Sequence, residues 1–328
     1  MARRFPLVPL VWVCLLLASL LPPVASAQTF MTEWGSYGSG DGQFKTPVGV
    51  AVGANGDIYV SDGGNSRVQV FTSGGTYLRQ WHVPTQNTNQ GLNISVDAND
   101  NVYVGANNDD EVYRFTSNGV LVTQWQPSQT GSNSVCLAVD ASGNVYVTTS
   151  DRVRVFSPLG VFLREWGSSG TGPGQFKFTD GLAIDASGDV YVADLENDRI
   201  QKFTSTGTYL TQWGSLGAGD GQFDWPVRVA IGPQGTVFVV DYHNCRVEAF
   251  TAQGAFITKW GSAGTSPGQF DNLIGIAVDS NGDIYVADTN NFRIQKFGFA
   301  PTPVVSVTWG SLKSRYRGAP GAAKPGYR

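Results

Sequence analysis

One run of five consecutive side chains, residues 107–111, carries oxygen atoms that could bind a cation. The run consists of Asn107, Asn108, Asp109, Asp110 and Glu111. Hard cations such as calcium prefer carboxylate and amide oxygens of this kind. The spacing matches no EF-hand loop, however, and a solvated charged loop is the favoured interpretation of the run. We therefore expect no cofactor and no metal, with calcium kept as the alternative.

An aspartate and an arginine recur five positions apart, with an asparagine between them, in four places. A guanidinium fork on a partly buried carboxylate would hold the intervening loop in place. We interpret the pairs as structural because both partners are absent from another copy, which has Ala106 and Glu111 there. A further copy has Thr149 and Arg152 and a shortened loop. The four pairs are Asp62 and Arg67, Asp194 and Arg199, Asp241 and Arg246, and Asp288 and Arg293.

Two sets of loop residues are candidates for binding. In the first, the polar segments 82–90 and 126–133 join residues 107–111 in one polar, acidic sector that would suit a glycan or a basic peptide, although decay of the repeat explains it equally well. In the second, exposed aromatic rings would suit stacking on sugars, although Trp225 could instead pack beneath its loop. The candidates beyond residues 107–111 are His82, Gln86, Asn87, Gln126, Trp225, Tyr242, His243 and Phe292.

The elements that must position these residues recur every 43 to 47 residues, each marked by a strand such as Asp-Val-Tyr-Val at 189–192. The other copies lie at 57–60, 101–104, 144–147, 236–239 and 283–286. Such a period indicates one small unit repeated six times. In the fourth copy, segments 181–185, 189–194, 199–203 and 209–213 read as strands joined by Gly, Ser, Asn and Asp turns. Each repeat is therefore predicted to be an antiparallel four-stranded meander.

The ends of the chain indicate how the six units close. Five repeats end in a tryptophan ten residues after a phenylalanine, but the sixth lacks this strand. Residues 29–36 match residues 208–215, the equivalent strand of the fourth repeat, position for position. We predict an all-β, six-bladed β-propeller of four-stranded antiparallel blades, with residues 29–35 closing the ring as the outer strand of the last blade. Closure by residues 304–309 is the alternative.

These repeats resemble the NHL family. The resemblance is carried by the Asp-x-x-Asn-x-Arg core of the four pairs and by a Trp-Gly-Ser-x-Gly-x-x-x-Gly-Gln-Phe linker at 34–44, 166–176, 213–223 and 260–270. The linker is similar to that of bacterial NHL proteins, and the resemblance covers about residues 28–300. It implies a six-bladed propeller. It implies no single activity, because such propellers include interaction platforms, RNA binders, receptor ectodomains and a few lyases.

The resemblance also defines the enzymatic alternative. Related amidating lyases hold zinc with several histidines, whereas only His82 and His243 are available here, too few for a three-histidine site. Streptogramin-type lyases also depend on histidine, and gluconolactonase-like propellers hold calcium with Glu, Asn and Asp at the channel mouth. No Ser/His/Asp or Cys/His constellation stands out. The alternative function is therefore a calcium-dependent hydrolase or lyase with its site at the central channel mouth.

The terminal segments predict export. Residues 1–27 have the basic start, apolar run and Ala-Ser-Ala end of a signal peptide, so a secreted or periplasmic, envelope location is expected. Residues 28–303 would form the propeller, and 304–328 a C-terminal extension with a basic, disordered tail. Without the two arginines of 1–27 and the five basic residues of 311–328, the body keeps 15 basic and 26 acidic residues. Such a body disfavours nucleic acid.

These observations predict an exported bacterial binding or scaffolding propeller. It would recognise a protein, peptide or glycan through its loop face, as a monomer, with no catalysis of its own. No membrane span is expected after signal cleavage, and the basic tail could contact an anionic envelope surface. Cys136 and Cys245 lie in repeats that are not neighbours, so no disulfide is expected between them.

Overall fold

The computed structural model describes residues 28–86, 91–128 and 136–299 of the 328-residue chain. These residues form 24 strands in six antiparallel sheets of four strands each, with a few single turns of 3₁₀ helix. The predicted six-bladed β-propeller is confirmed. The predicted signal peptide, residues 1–27, and the C-terminal extension, residues 304–328, lie outside the described residues.

Each blade is a meander whose first strand lies innermost and whose fourth strand lies outermost. The strands of blades 1 to 3 are, in order, β2 (Pro47–Val52), β3 (Ile58–Asp62), β4 (Arg67–Phe71), β5 (Tyr77–His82); β6 (Leu92–Val96), β7 (Val102–Ala106), β8 (Glu111–Phe115), β9 (Leu121–Trp125); β10 (Leu137–Val139), β11 (Val145–Thr149), β12 (Arg152–Phe156), β13 (Phe162–Trp166).

Blades 4 to 6 repeat this order, and the last blade takes its outer strand from the N-terminus. Their strands are β14 (Thr179–Ile184), β15 (Val190–Asp194), β16 (Arg199–Phe203), β17 (Tyr209–Trp213); β18 (Pro226–Ile231), β19 (Val237–Asp241), β20 (Arg246–Phe250), β21 (Phe256–Trp260); β22 (Leu273–Val278), β23 (Ile284–Asp288), β24 (Arg293–Phe299), β1 (Gln28–Trp34). In blade 4 the first strand begins two residues before the predicted one, because its pairing with β15 resumes beyond a bulge at Thr179.

The recurring tyrosine of the second strand is a core residue. Tyr191 and Tyr285 are fully buried, and their hydroxyls donate to Asp185 (2.9 Å) and Asp279 (3.0 Å) in the turn before the strand. A buried tyrosine needs such a partner for its hydroxyl. The repeated phrase is therefore explained by packing, with the aspartate of the preceding turn as part of the same unit.

The tryptophan that ends each blade packs against the next blade. In blade 4, Trp166 of the preceding blade lies against Phe203, with ring centroids 6.0 Å apart. It also covers the turn at Gly207, which has a φ of +89°, where an added Cβ would lie 2.7 Å from the indole ring. A glycine is required there by both the positive φ and the close approach. The fixed spacing of Phe, Gly and Trp thus specifies contacts between blades.

Strand β1 closes the ring, as predicted. It pairs antiparallel with β24, from Gln28 opposite Phe299 to Trp34 opposite Ile294. Trp34 then packs on Phe71 of blade 1 at 5.9 Å, which is the sixth contact of this kind around the ring. Blade 6 is therefore built from both ends of the propeller.

The ring has two faces formed by loops and turns. We call the upper face the one that carries the loops between second and third strands together with the linkers between blades. The lower face carries the remaining turns. A central channel, lined by the first strands of the blades, opens on both faces. Among the described residues, Cys136 and Cys245 are free thiols, the first buried and the second partly exposed. Within the described ranges, no helix has the length and apolar character to cross a membrane.

Candidate functional site

The paired aspartate and arginine side chains meet at the upper face of four blades. In blade 4, Arg199 Nε donates to Asp194 Oδ2 at 2.7 Å, and both residues are buried. The two Nη groups donate to carbonyls of the preceding linker, at Thr171, Gly172 and Gln175. The guanidinium therefore does not form the expected fork on the carboxylate. It holds the linker and the upper loop together, and the carboxylate is fully rather than partly buried.

The other three copies have the same geometry. Their aspartates are fully buried, and in each the arginine Nη2 reaches linker carbonyls. The Nε to Oδ2 distances are 3.0 Å for Arg67 and Asp62, 2.8 Å for Arg246 and Asp241, and 2.7 Å for Arg293 and Asp288. These contacts position backbone and leave no catalytic group exposed at the pairs.

Blade 2 has acidic side chains where four of the other blades have this buried cation. The backbone NH of Gln86 donates to Asp109 Oδ2 at 2.8 Å, and Ser128 Oγ donates to Asp110 Oδ2 at 2.5 Å. The acidic run is thus attached on one side to Gln86 and on the other to Ser128. The structure brings these parts of the polar sector together.

Negative charge is concentrated in this part of blade 2. Burial raises the pKa of Asp110. Burial, followed by the charges of Asp110 and Asp109, raises the pKa of Glu111. Burial together with Glu111 and Asp109 raises the pKa of Tyr113 to about 12. Nonetheless, no group of three or more His, Cys, Asp or Glu side chains in the described part of the chain could hold a metal ion.

The remaining predicted residues of the polar sector lie at its edges. His82 is exposed at the end of β5, and Asn108 and Gln126 are also exposed. Asn107 instead faces the mouth of the channel, where its Oδ1 accepts from Asn93 Nδ2 at 3.1 Å. Asn87 lies outside the described residues.

A cavity of about 450 Å³ opens at the upper mouth of the channel. Five blades contribute to its walls, so it lies on the axis of the ring. Its lining residues are Thr46, Val48, Gly91, Asn107, Phe178, Asp180, Leu195, Trp225, Val227, Arg228, Tyr242 and Ile274. A cavity of this size, with an apolar wall and a few polar groups, is typical of a small-ligand site.

Arg228, in the wall of this cavity, pairs with the neighbouring blade and reaches across the channel. Arg228 Nη1 lies 2.5 Å from Asp180 Oδ1 of the neighbouring blade. Its Nη2 donates to Asn93 Oδ1 of blade 2, on the opposite side of the ring. The guanidinium is thus held by the Asp180 carboxylate, the Asn93 amide oxygen and the Val227 carbonyl. Planar groups held in this way can donate to and accept from a bound ligand.

The cluster of Arg228, Asp180 and Asn93 was not predicted from the sequence, although the residue types at one strand position indicate it. Aligned on their first strands, blades 1, 4 and 6 have glycine at the position that Arg228 occupies in blade 5. An added Cβ at Gly181 would lie 2.6 Å from Arg228 Cα, so this glycine makes room for its neighbour. Asn93 and Cys136 stand at the same position in blades 2 and 3. Polar residues at a position that otherwise holds glycine mark the interior of the channel.

Aromatic rings surround part of the mouth. Trp225 is 42% exposed and stacks on His243 with centroids 4.6 Å apart, and His243 Nδ1 lies 2.8 Å from Asp224 Oδ1. Tyr242 contacts the same imidazole at 5.2 Å. Trp225 is therefore exposed and does not pack beneath its loop. Phe292 belongs elsewhere, since it packs on Tyr37 at the junction of blades 6 and 1.

Phe178 is a second ring at the mouth that the sequence did not single out. It occupies the position equivalent to Trp225 in the preceding linker and is 41% exposed. Both residues have positive φ, +56° for Phe178 and +63° for Trp225. Positive φ is unfavourable for bulky residues, and such strain is often found at functional sites. Asn272 holds the same position in blade 6, with a φ of +60° that suits asparagine.

A second cavity, of about 580 Å³, opens at the lower face between blades 6, 1 and 2. Its carboxylates belong to the turns that form it. Asp97 Oδ1 accepts from the backbone of Asn99 and Asn101, and Asp279 Oδ1 accepts from Asn281. These groups are explained by turn formation. The upper cavity is smaller but carries exposed rings and an ion pair, and we therefore take it as the candidate site.

Comparison with known families identifies the repeats. Residues 44–71, 180–203, 223–250 and 270–297 match the NHL repeat. The chain is an NHL-repeat β-propeller. The four matched repeats are those with an Asp–Arg pair, so the contacts described above are the physical content of the NHL motif in this protein.

Curated relatives of this NHL propeller match it over short stretches. Protein brain tumor from Drosophila melanogaster is 37% identical over 71 residues, covering 20% of this chain and 7% of that protein. B-box type zinc finger protein ncl-1 from Caenorhabditis elegans is 39% identical over 67 residues, covering 19% and 8%. The chain therefore spans less than a tenth of the length of these relatives.

Solved structures show the same fold at low identity. A streptogramin B lyase has a TM-score of 0.61 and 14% identity, covering 84% of this chain and 99% of that one. A protein of unknown function from Bacteroides thetaiotaomicron has a TM-score of 0.67 and 18% identity, covering 83% and 76%. A gluconolactonase from Xanthomonas campestris has a TM-score of 0.58 and 14% identity, covering 79% and 88%. These similarities concern the propeller fold alone.

Proposed function

We propose that this NHL propeller is an exported bacterial binding or scaffolding protein that recognises a protein, peptide or glycan through its upper face, with no catalysis of its own. The observation that carries the proposal is the pair of exposed rings, Phe178 and Trp225, at strained positions around the upper cavity. Rings placed there contribute little to the core and are available to a ligand.

Backbone strain distinguishes these two rings from ordinary surface residues. A left-handed backbone costs a non-glycine residue about 1–2 kcal/mol, and asparagine, as at Asn272, tolerates it best. Phe178 and Trp225 accept this cost while two-fifths of each side chain stays in solvent. Contact with a bound partner would explain why aromatic rings occupy these strained and exposed positions.

The wall of the cavity suits a ligand rich in hydroxyl or amide groups. Asp180, Arg228 and Asn107 present fixed donors and acceptors beside the rings. Flat apolar faces next to planar polar groups can recognise a sugar ring or a peptide segment. The acidic body disfavours nucleic acid as the ligand.

The predicted signal peptide, residues 1–27, supports a secreted or periplasmic location for this function. The basic tail within 304–328 would add contact with an anionic envelope surface. We expect the exported protein to act as a monomer.

A glycan and peptide array tests the proposal. Residues 28–328 would be compared with the double variant Phe178→Asn and Trp225→Asn, which places the residue of blade 6 at both positions and relieves the backbone strain. Binding to the array ligand should fall by about ten-fold or more in this variant, equivalent to about 1.4 kcal/mol. Phe162→Ala, a 46% exposed ring on the outer strand of blade 3, is the control and should bind normally. Equal binding by all three proteins would contradict the proposal.

A calcium-dependent hydrolase or lyase is the alternative, favoured by the polar cluster of Asp180, Arg228 and Asn93 in the channel. A metal would have to displace Arg228 from Asp180. We therefore expect the Tm to be the same in EDTA and in calcium. A Tm that rises with calcium in wild type, but not in Asp180→Asn, would favour the alternative.

A further inference from the structure

The two charged side chains in the wall of the upper cavity are not equally accessible. Arg228 Nη1 lies 2.5 Å from Asp180 Oδ1 and also donates to the Val227 carbonyl. Its Nη2 donates to Asn93 Oδ1. The Arg228 side chain is 10% exposed and the Asp180 side chain 17%. A carboxylate offers about four acceptor positions, so Asp180 can pair with Arg228 and still accept from a second cation.

Further carboxylates lie beside the aromatic side of the mouth. Asp198 Oδ1 accepts from the Trp225 backbone NH at 3.1 Å. Asp224 precedes Trp225 in the chain, and 39% of its side chain is exposed. Trp225 therefore lies between carboxylates of blades 4 and 5. Lys177, beside Phe178, is exposed to solvent and does not line the cavity. This distribution of charge favours a cationic ligand over an anionic one.

Three aromatic rings line the same cavity, those of Phe178, Trp225 and Tyr242. Phe178 and Trp225 are 41% and 42% exposed. His243 covers one face of the Trp225 indole, with centroids 4.6 Å apart. An aromatic face attracts a positively charged group through its quadrupole, most strongly when the ring is an indole. Rings beside an accessible carboxylate therefore suit a cation better than a neutral group.

Much of the remaining wall is aliphatic. Four of its side chains offer no hydrogen-bonding group, those of Val48, Leu195, Val227 and Ile274. A sugar ring would leave hydroxyl groups without partners on this side, each at a free-energy cost. A lysine side chain matches this wall, because its methylene stem packs on apolar surface while its ammonium stays with polar or aromatic groups.

We propose that the upper cavity binds a primary ammonium group on an aliphatic stem, as in a lysine side chain of a peptide or protein partner. Asp180 would accept its hydrogen bonds, and Phe178 and Trp225 would lie against its positive charge. The body of the chain, with 15 basic and 26 acidic residues, would attract a basic partner. This inference rests on the proposed function, since it names the group that the aromatic cavity would recognise.

The ammonium group can come from two sources. A lysine side chain carries it on a flexible aliphatic stem, whereas the amino terminus of a chain carries it directly on the backbone. Both would present the same donors to Asp180. The lysine stem would also contact the aliphatic wall, and we therefore expect the lysine side chain to bind more tightly.

The test measures the Kd of small blocked amino acids for residues 28–328, from shifts of the tryptophan indole NH signals in isotope-labelled protein. The probes are Nα-acetyl-lysine methylamide, its neutral Nε-acetyl counterpart, and alanine methylamide, which has a free amino group without the stem. We expect the lysine probe to bind at least about ten-fold more tightly than the Nε-acetyl probe. Weaker binding of the alanine probe would assign the site to a lysine side chain, and equal binding to an amino terminus.

Variants of the cavity complete the test. Asp180→Asn should weaken binding of the lysine probe by about ten-fold or more, because it removes the charge and keeps an acceptor for Arg228. Phe178→Asn, which leaves the ion pair intact and places the residue of blade 6 at that position, should also weaken it. Asp220→Asn is the matched control, since this carboxylate is 65% exposed in its pair with Lys259, and should bind normally.

Three results would overturn the inference. They are an equal Kd for the lysine and Nε-acetyl probes, no measurable binding of either probe, and unchanged binding of the lysine probe in both Asp180→Asn and Phe178→Asn. An equal Kd for the two probes together with weaker binding in Phe178→Asn would leave the aromatic cavity as a site for a neutral ligand such as a sugar. Failure of this inference is thus distinguishable from failure of the proposed function.

Discussion

The buried arginines stabilise this protein through backbone carbonyls as much as through carboxylates. Arg199 donates once to Asp194 and three times to the preceding linker. Asp194 in turn accepts from the backbone of Lys177 at 2.8 Å and from Asn197. A single side-chain pair therefore joins a strand end, a loop and a linker, and its loss would leave several buried polar groups without partners.

Removal of one such arginine should be costly. We expect Arg199→Ala to lower the free energy of unfolding by about 3–5 kcal/mol, because it leaves a buried carboxylate uncompensated. Arg152→Ala in blade 3 is the matched control, since that side chain is 45% exposed on its pair with Glu165. Its loss should cost no more than about 1 kcal/mol. Urea unfolding would measure both, and equal losses would contradict the assignment.

Glu248 replaces a glutamine that three other blades place at the same position. Gln201 accepts from the Gly174 NH and donates to the Gln175 carbonyl. Glu248 accepts from the Gly221 NH at 2.9 Å, and its other oxygen lies 2.5 Å from Arg246 Nη2. Burial raises the pKa of this fully buried carboxyl to about 7.

The raised pKa of Glu248 predicts a pH dependence of stability. Between about pH 4.5 and pH 7, Glu248 keeps its proton in the folded protein. The same carboxyl in the unfolded chain, with a pKa of about 4.3, has lost it. Stability should therefore fall as pH rises from about 4.5 to 7 and stay low above that. Glu248→Gln should flatten this profile and stabilise the protein by up to about 3 kcal/mol at alkaline pH.

Thermal unfolding across this pH range would measure the effect of Glu248. The matched variant is Gln201→Glu, which places the same group in blade 4 and should introduce a second decline over the same range. A Glu248→Gln curve parallel to that of the wild type would show that another group titrates.

At the scale of elements, strand β1 closes the ring by pairing with β24. Its Trp34 packs on Phe71 of blade 1. In blades 1 to 5 the tryptophan of the blade's own fourth strand makes the equivalent contact with the next blade. The C-terminal extension contains a similar tryptophan, Trp309, in the segment first considered as the alternative. The two tryptophans thus distinguish the two closures.

Substitution of these tryptophans tests the closure. Trp34→Ala should lower the free energy of unfolding by about 3 kcal/mol, because it removes a ring packed between blades 6 and 1. Trp309→Ala should change it by no more than about 0.5 kcal/mol. Deletion of residues 28–36 should lower the Tm sharply. A larger effect of Trp309→Ala than of Trp34→Ala would instead support closure by residues 304–309.

The sequence predicted most of the fold because its signals are local and repeated. The Tyr of each second strand, the Phe–Gly–Trp spacing and the match of residues 29–36 to residues 208–215 each specify a contact within a blade or with the next one. The Asp–Arg spacing likewise predicted the pairs. It could not predict the linker carbonyls, because they depend on the folded path of residues 24 to 28 positions away.

The channel cluster was not predicted for a different reason. Arg228 and Asn93 are 135 positions apart and meet only because the ring is closed. The positive φ of Phe178 and Trp225 also could not be predicted from their residue types. Aromatic residues at such positions are ordinarily expected to lie in the core. Phe292 packs on Tyr37 at the junction of blades 6 and 1, whereas Trp225 stacks on His243 beside the cavity.

At the scale of the whole molecule, the propeller combines four regular blades with two altered ones. The regular blades carry the NHL motif and hold their own upper loops. Blade 2 reverses the charge at that position, and blade 3 moves its arginines outward to Glu165. The upper face thereby acquires an aromatic side, at blades 4 and 5, and an acidic side, at blade 2. This asymmetry on a regular ring is the basis for the proposal that the upper face binds a partner.

Hydrogen–deuterium exchange with the array ligand bound tests this assignment most directly. Binding at the upper face predicts slower exchange at the amides of residues 224–226 and 242–245, with no change in the lower-face turns at 53–57 and 97–101. Protection confined to the lower-face turns, with the upper-face amides unchanged, would contradict it.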